Sequence, residues 1–180
     1  MALHYCSAFS QTEGPAVHDY FNNFEDSTLN REWMNMNTIS ADDTLGNLPA
    51  QKNHFSRTDE IHRYSSGIEM GIPEDLVNKN FRISVRGLIR VSVAGTDDQV
   101  VIAVSMGDSS VYWKGEHISM SSGKTNTWNG FEVSTLIPRN IHGSSRIKIF
   151  LWNADGKSLT DVDNLNINFT EIKLPSFLPK

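Results

Sequence analysis

The chain has 180 residues, 38% of them hydrophobic and 21% charged, with a formal net charge of -5. That balance belongs to an ordinary globular domain and excludes a disordered chain, and the negative charge is a poor match for nucleic-acid phosphates. The single cysteine, Cys6, excludes an intrachain disulfide, the first residues lack the basic start and apolar run of a signal peptide, and no apolar run is long enough to cross a bilayer.

All-β sandwiches of this length commonly form one undivided domain, and a chain of this size can bury about 70% of the surface its unfolded form exposes. One domain is therefore expected over residues 1–180, with its core at 16–171 and flexible ends. Period-2 alternation dominates the pattern, and helical periodicity is nearly absent. A first strand is expected from Val17 to Glu25. Asp26 to Phe55 has few apolar residues and reads as a long loop with one strand in it. A further strand is expected near Arg63–Met70, and Ile72-Pro73-Glu74-Asp75-Leu76 reads as a single helical turn with proline near its start.

Phe81 to Val93 carries the clearest signal. Phe81, Ile83, Val85, Ile89, Val91 and Val93 alternate with Arg82, Ser84, Arg86, Arg90 and Ser92, giving one apolar and one cationic-polar face. Gly87 interrupts the apolar series and marks a bulge or bend. Gly95-Thr96-Asp97-Asp98 then reads as a hairpin turn into Val100–Met106. Gly107 to Asn126 is rich in Ser, Gly, Lys and Thr and reads as an irregular loop region, where binding sites commonly sit. Strands follow at Trp128–Leu136, at Ile147, Ile149 and Leu151, and at Leu165, Ile167 and Phe169, with Asn153-Ala154-Asp155-Gly156-Lys157 turning between the last two.

The order Phe24-Glu25, Tyr64-Ser65-Ser66-Gly67-Ile68, the long alternating strand, Ile147-Lys148-Ile149-Phe150-Leu151-Trp152-Asn153 and Asp161-Val162-Asp163-Asn164-Leu165 resembles galactose-binding-like jelly-roll modules. These are antiparallel two-sheet β-sandwiches similar to carbohydrate-binding modules of secreted and surface proteins of bacteria. The resemblance runs from about Asn23 to Phe169. It implies a non-catalytic domain that binds a glycan, a secreted or cell-surface setting, and one structural calcium ion. In the resembled modules the first and last strands lie side by side, which would bring Glu25 near Asp161 and Asp163. Glu25 and Asp163 are the expected calcium ligands, with backbone carbonyls completing the six to eight oxygens that calcium takes.

Modules of this kind stack sugar rings on exposed aromatics. Trp113, Tyr112 and Trp128, with Arg86, are the candidate ligand contacts, Trp113 first among them because it stands in the polar stretch. Core packing is the competing role for any tryptophan. Phe150 and Trp152 share the strand face opposite Ile149 and Leu151, so that face is either covered by other segments or shows aromatics to a ligand. Against catalysis, the six histidines lack close metal-site spacing, the acidic doublets Asp42-Asp43, Asp59-Glu60 and Asp97-Asp98 are neighbours that a strand sends to opposite faces, and neither a phosphate-binding glycine loop nor a Gly-x-Ser-x-Gly elbow is present. A structural or protein-interaction sandwich is the alternative reading, and a small glycan-active enzyme a third.

Overall fold

The computed structural model describes residues 12–25, 33–41, 54–120, 123–139 and 141–173. Cys6 and most of the stretch from Asp26 to Phe55 lie outside the described residues. In chain order the strands are β1 (Thr12–Asn22), β2 (Trp33–Met34), β3 (Ile39–Ser40), β4 (Phe55–Thr58), β5 (Gly67–Gly71), β6 (Phe81–Val91), β7 (Asp98–Met106), β8 (Ser109–His117), β9 (Asn129–Ile137), β10 (Arg146–Asn153) and β11 (Thr160–Lys173). Helical structure among the described residues is confined to two single 3-10 turns, Met36–Thr38 and Glu74–Leu76, the second behind Pro73 as expected.

The strands form an antiparallel two-sheet sandwich of jelly-roll type. One sheet has the order β3-β4-β11-β6-β9, with β1 also paired to β11. The other has the order β2-β5-β10-β7-β8. From β6 to β11 the chain changes sheet at every step except β7 to β8. The apolar faces read from the pattern meet between the sheets: Phe81, Ile83, Val85, Ile89, Val100, Ile102, Val104, Ile147, Ile149, Leu151, Leu165, Ile167 and Phe169 are all buried there. A strand buries such a set only in one register, since a slip of one residue would turn every member to solvent.

Two expectations are corrected. Phe81–Val93 and Val100–Met106 do not form a hairpin, because β6 pairs with β11 and β9 while β7 pairs with β10 and β8. The connection through Gly95 (φ 72°) crosses from one sheet to the other. Alternation specifies which face of a strand is apolar, and two facing strands show the same alternation as two adjacent ones. The second correction concerns Gly107 to Asn126, much of which is strand β8, joined to β7 by a tight turn at Gly107 (φ 58°). β8 is an edge strand with mostly exposed side chains, so its composition is polar although its backbone is extended.

Gly87 serves a close approach. A Cβ there would stand 3.0 Å from the Asp163 carbonyl oxygen and 3.0 Å from the Phe131 ring. The bulge lies across from it in β11, between Asp163 and Asn166, where Asn164 adopts φ 51°. Asparagine tolerates that left-handed conformation better than most side chains. The bulge restores the phase that sends Leu165, Ile167 and Phe169 inward.

Candidate functional site

On the outer face of the β5-β10-β7 sheet, alternate residues of three strands and one flanking segment converge. Phe150 and Trp152 project outward from β10, as their alternation with Ile149 and Leu151 requires. Trp113 projects from β8 opposite Ala103 of β7. Tyr64 reaches the same face through a single bridge to Trp152 just before β5. Tyr64 and Trp152 are stacked with centroids 6.5 Å apart, Tyr64 meets Phe150 edge-on at 5.6 Å, and Trp113 meets Trp152 edge-on at 6.1 Å. With Val101 as floor, the four rings line an open depression of about 220 Å³.

Tyr64 and Trp113 remain 51% and 55% exposed. Leaving such rings in water gives up burial that stabilises a fold by roughly 1.5–3 kcal/mol per large apolar side chain, which makes the exposed cluster a candidate binding surface. Gly115 makes room beside Trp113. A Cβ there would lie 2.1 Å from Gln99 Oε1 and 3.1 Å from the Trp113 ring, so the missing side chain leaves room for both. Gln99 Nε2 donates to Asp97 Oδ1 at 2.9 Å and supplies an amide along one side of the rings. On the other, Glu69 pairs with Arg146 at 3.1 Å and Lys148 at 3.3 Å.

The candidate ligand contacts are not all brought together. Tyr112 neighbours Trp113 on a strand, so it points the opposite way, between the sheets, where its hydroxyl lies 2.8 Å from Thr135 Oγ1. Arg86 is on the outer face of the other sheet, paired with Glu132 at 3.0 Å. Trp128 covers the Arg90 guanidinium at 4.6 Å and packs edge-on against Phe55 at 6.0 Å. Of the four, Trp113 stands in the aromatic depression. Tyr64 was missed as a contact because a lone bridge before a strand leaves no periodic trace.

Glu25 acts on Asp163, beyond the end of the β1–β11 pairing, while Asp161 has a different set of partners. Asp161 is fully buried and accepts hydrogen bonds from Arg57 Nε (2.7 Å) and Nη2 (3.1 Å) and from Arg90 Nε (3.1 Å) and Nη2 (2.7 Å). Both guanidiniums also lie against the Phe55 ring. That arrangement saturates Asp161 and excludes it as a metal ligand. Asp163 differs: burial pushes its carboxyl up to about 6, with Glu25's charge adding to the rise and the backbone N–H of Asn164 opposing it. Glu25 accepts from the His54 backbone N–H at 2.7 Å and lies 3.1 Å from His54 Nδ1. A cation between Glu25 and Asp163 would relieve their repulsion. Among the described residues no group of three or more His, Cys, Asp or Glu side chains could hold a metal, so the remaining oxygens would be backbone carbonyls and water. His54 and His62 have separate partners, Glu25 and Asp59.

No family model and no curated protein matches the chain. Among solved structures it is similar to a CBM22-1 xylan-binding domain from Paenibacillus barcinonensis, at 18% identity and TM-score 0.45, with 86% of this chain and 94% of that chain covered. It is also similar to a CBM35 from Cellvibrio japonicus, at 9% identity and TM-score 0.46, covering 83% and 92%. A Stig cyclase from Fischerella sp. TAU is similar at 13% identity and TM-score 0.45, covering 91% and 100%. Likeness of this grade concerns the β-sandwich outline and says nothing of ligand or chemistry. No helix among the described residues is long and apolar enough to cross a membrane.

Proposed function

We propose that the protein is a non-catalytic carbohydrate-binding module of a secreted or cell-surface protein, and that the depression lined by Tyr64, Trp113, Phe150 and Trp152 is its glycan site. The observation that carries this reading is the group of half-exposed rings held on a rigid sheet face. A pyranose presents a C–H face that stacks on an aromatic ring, and its hydroxyls need amide and charged partners such as Gln99, Glu69 and Lys148 at the margins. The depression is smaller than the roughly 300–1,000 Å³ of sites that enclose a drug-sized ligand, and an open platform suits a chain lying across it. A net charge of -5 favours a neutral glycan over a polyanion. Glu25 and Asp163 hold a structural calcium ion, remote in role from the sugar.

The test is binding of the full chain to a broad glycan array, with calcium and again with chelator. Specific binding should fall at least tenfold in Trp113→Ala without a change in melting temperature, because the side chain is more than half exposed. Absence of binding to every glycan would move the same aromatic surface to the alternative reading, a protein partner.

A further inference from the structure

A second cavity, of about 150 Å³, lies between the sheets at the end where β6 crosses to β7. Ile89, Val91, Ile118 and Met120 make its apolar wall, and Asp98 and Thr96 its polar part. A cavity of about this volume in the apolar core of another protein holds one benzene ring. Asp98 is the unexpected member. It lies in phase with Val100, Ile102 and Val104 on the inward face of β7, where an apolar side chain would continue the core, and it is 5% exposed.

Its carboxylate accepts from the hydroxyls of Thr96 and Thr160, the latter at 3.1 and 3.3 Å. Thr160 Oγ1 lies 3.0 Å from Ser158 Oγ in turn. Among the described residues no cation pairs with it. The charged side chains that act on it, Asp155 and Asp97, are both acidic, and together with the larger effect of burial they raise its carboxyl above the usual range against the pull of the two threonines. His117 and Lys157, the basic side chains beside those acids, are taken up by them: His117 Nδ1 lies 2.9 Å from Asp97 and Lys157 Nζ 3.2 Å from Asp155. A buried charge without a counter-ion is costly, and a partner that brings the opposite charge recovers that cost.

We propose that this cavity is a second ligand site, separate from the aromatic platform, for a small molecule of about one apolar ring bearing a protonated amine, with the ring against Ile89, Val91, Ile118 and Met120 and the ammonium on Asp98. Apolar wall and lone carboxylate select together: a neutral ring gains only the first, and a hydrophilic cation only the second. A sugar matches neither, being uncharged and covered in hydroxyls.

The test uses the full chain and three probes of nearly equal size, benzylamine, benzyl alcohol and toluene, with binding read by calorimetry and by ligand-observed NMR at neutral pH. Benzylamine should bind at least tenfold more tightly than the other two. Asp98→Asn keeps the shape and the threonine hydrogen bonds and should reduce benzylamine to the level of benzyl alcohol. Met120→Trp, which fills the cavity and leaves the carboxylate, should abolish binding of all three. Trp113→Ala should leave benzylamine binding unchanged, which separates this site from the glycan surface. Equal binding of benzylamine and benzyl alcohol, or an amine preference that survives either cavity variant, would overturn the proposal.

Discussion

Asp163→Asn tests the electrostatics of the β11 bulge. In the folded protein burial and Glu25 raise this carboxyl to about 6, against about 3.9 in an unfolded chain. The folded state therefore holds the proton more tightly than the unfolded state. Its stabilising contribution is complete below about pH 4 and is lost as pH rises through 6. A difference of about 2 units corresponds to a ceiling of about 3 kcal/mol at 1.36 kcal/mol per unit, and residual solvation reduces the expected effect to about 1–2 kcal/mol. Asparagine can accept the same N–H from Asn164 (2.6 Å to Asp163 Oδ1) and carries no charge at any of these values. Urea denaturation of both proteins in chelator at pH 4, 5, 6 and 7 isolates the term, because all other titrations are common to the pair. Asp163→Asn should gain about 1–2 kcal/mol on wild type between pH 4 and pH 7. Calcium should cancel that gain, since a bound cation holds both carboxylates in their charged form. Parallel stability curves from pH 4 to 7 would refute the assignment, and a gain untouched by calcium would refute the metal reading alone.

Other substitutions probe the framework that holds the sites. Asp161→Asn removes the one carboxylate shared by Arg57 and Arg90 and should cost about 3–5 kcal/mol in a urea midpoint, the range for a buried ion pair robbed of one partner. A cost under 1 kcal/mol would show that the other contacts of the two guanidiniums, the Phe55 and Trp128 rings among them, hold them without the carboxylate. Gly67→Ala places a Cβ 2.1 Å from the Ile149 carbonyl oxygen and 2.7 Å from Phe150 Cβ, so β5 must move from β10. The loss should reach about 3 kcal/mol, the upper part of the range for overpacking, with weaker glycan binding because Phe150 moves too. Tyr112→Phe removes the hydroxyl contact to Thr135 and should cost about 1 kcal/mol in thermal or urea denaturation, with glycan affinity unchanged since the ring faces inward.

The sandwich was legible where one face of a strand is buried. The series Ile147-Ile149-Leu151 and Leu165-Ile167-Phe169 named the inward residues correctly, because a period of two with one apolar phase has a single solution. β8 escaped for the converse reason: an edge strand outside the core has little apolar alternation to read. The aromatic depression was half legible. Phe150 and Trp152 could be placed together on an outward face and Trp113 in an exposed position, yet nothing local says that β10 and β8 flank the same strand, or that Tyr64 arrives beside them.

Residue order by itself determined the all-β class, the inward side chains of the central strands though not Val93, which is 49% exposed, and the turn at Gly156 (φ 66°). Only the tertiary structure decided which strands are neighbours, that β6 and β7 face each other across the core, that Asp161 belongs to two arginines while Asp163 does not, and that Asp98 lines a cavity. The physical reason is that hydrophobic burial is non-directional: it specifies which side of a strand leaves water and is silent on which strand lies beside it, a choice made by pairings between residues as far apart as Arg57 and Asp161.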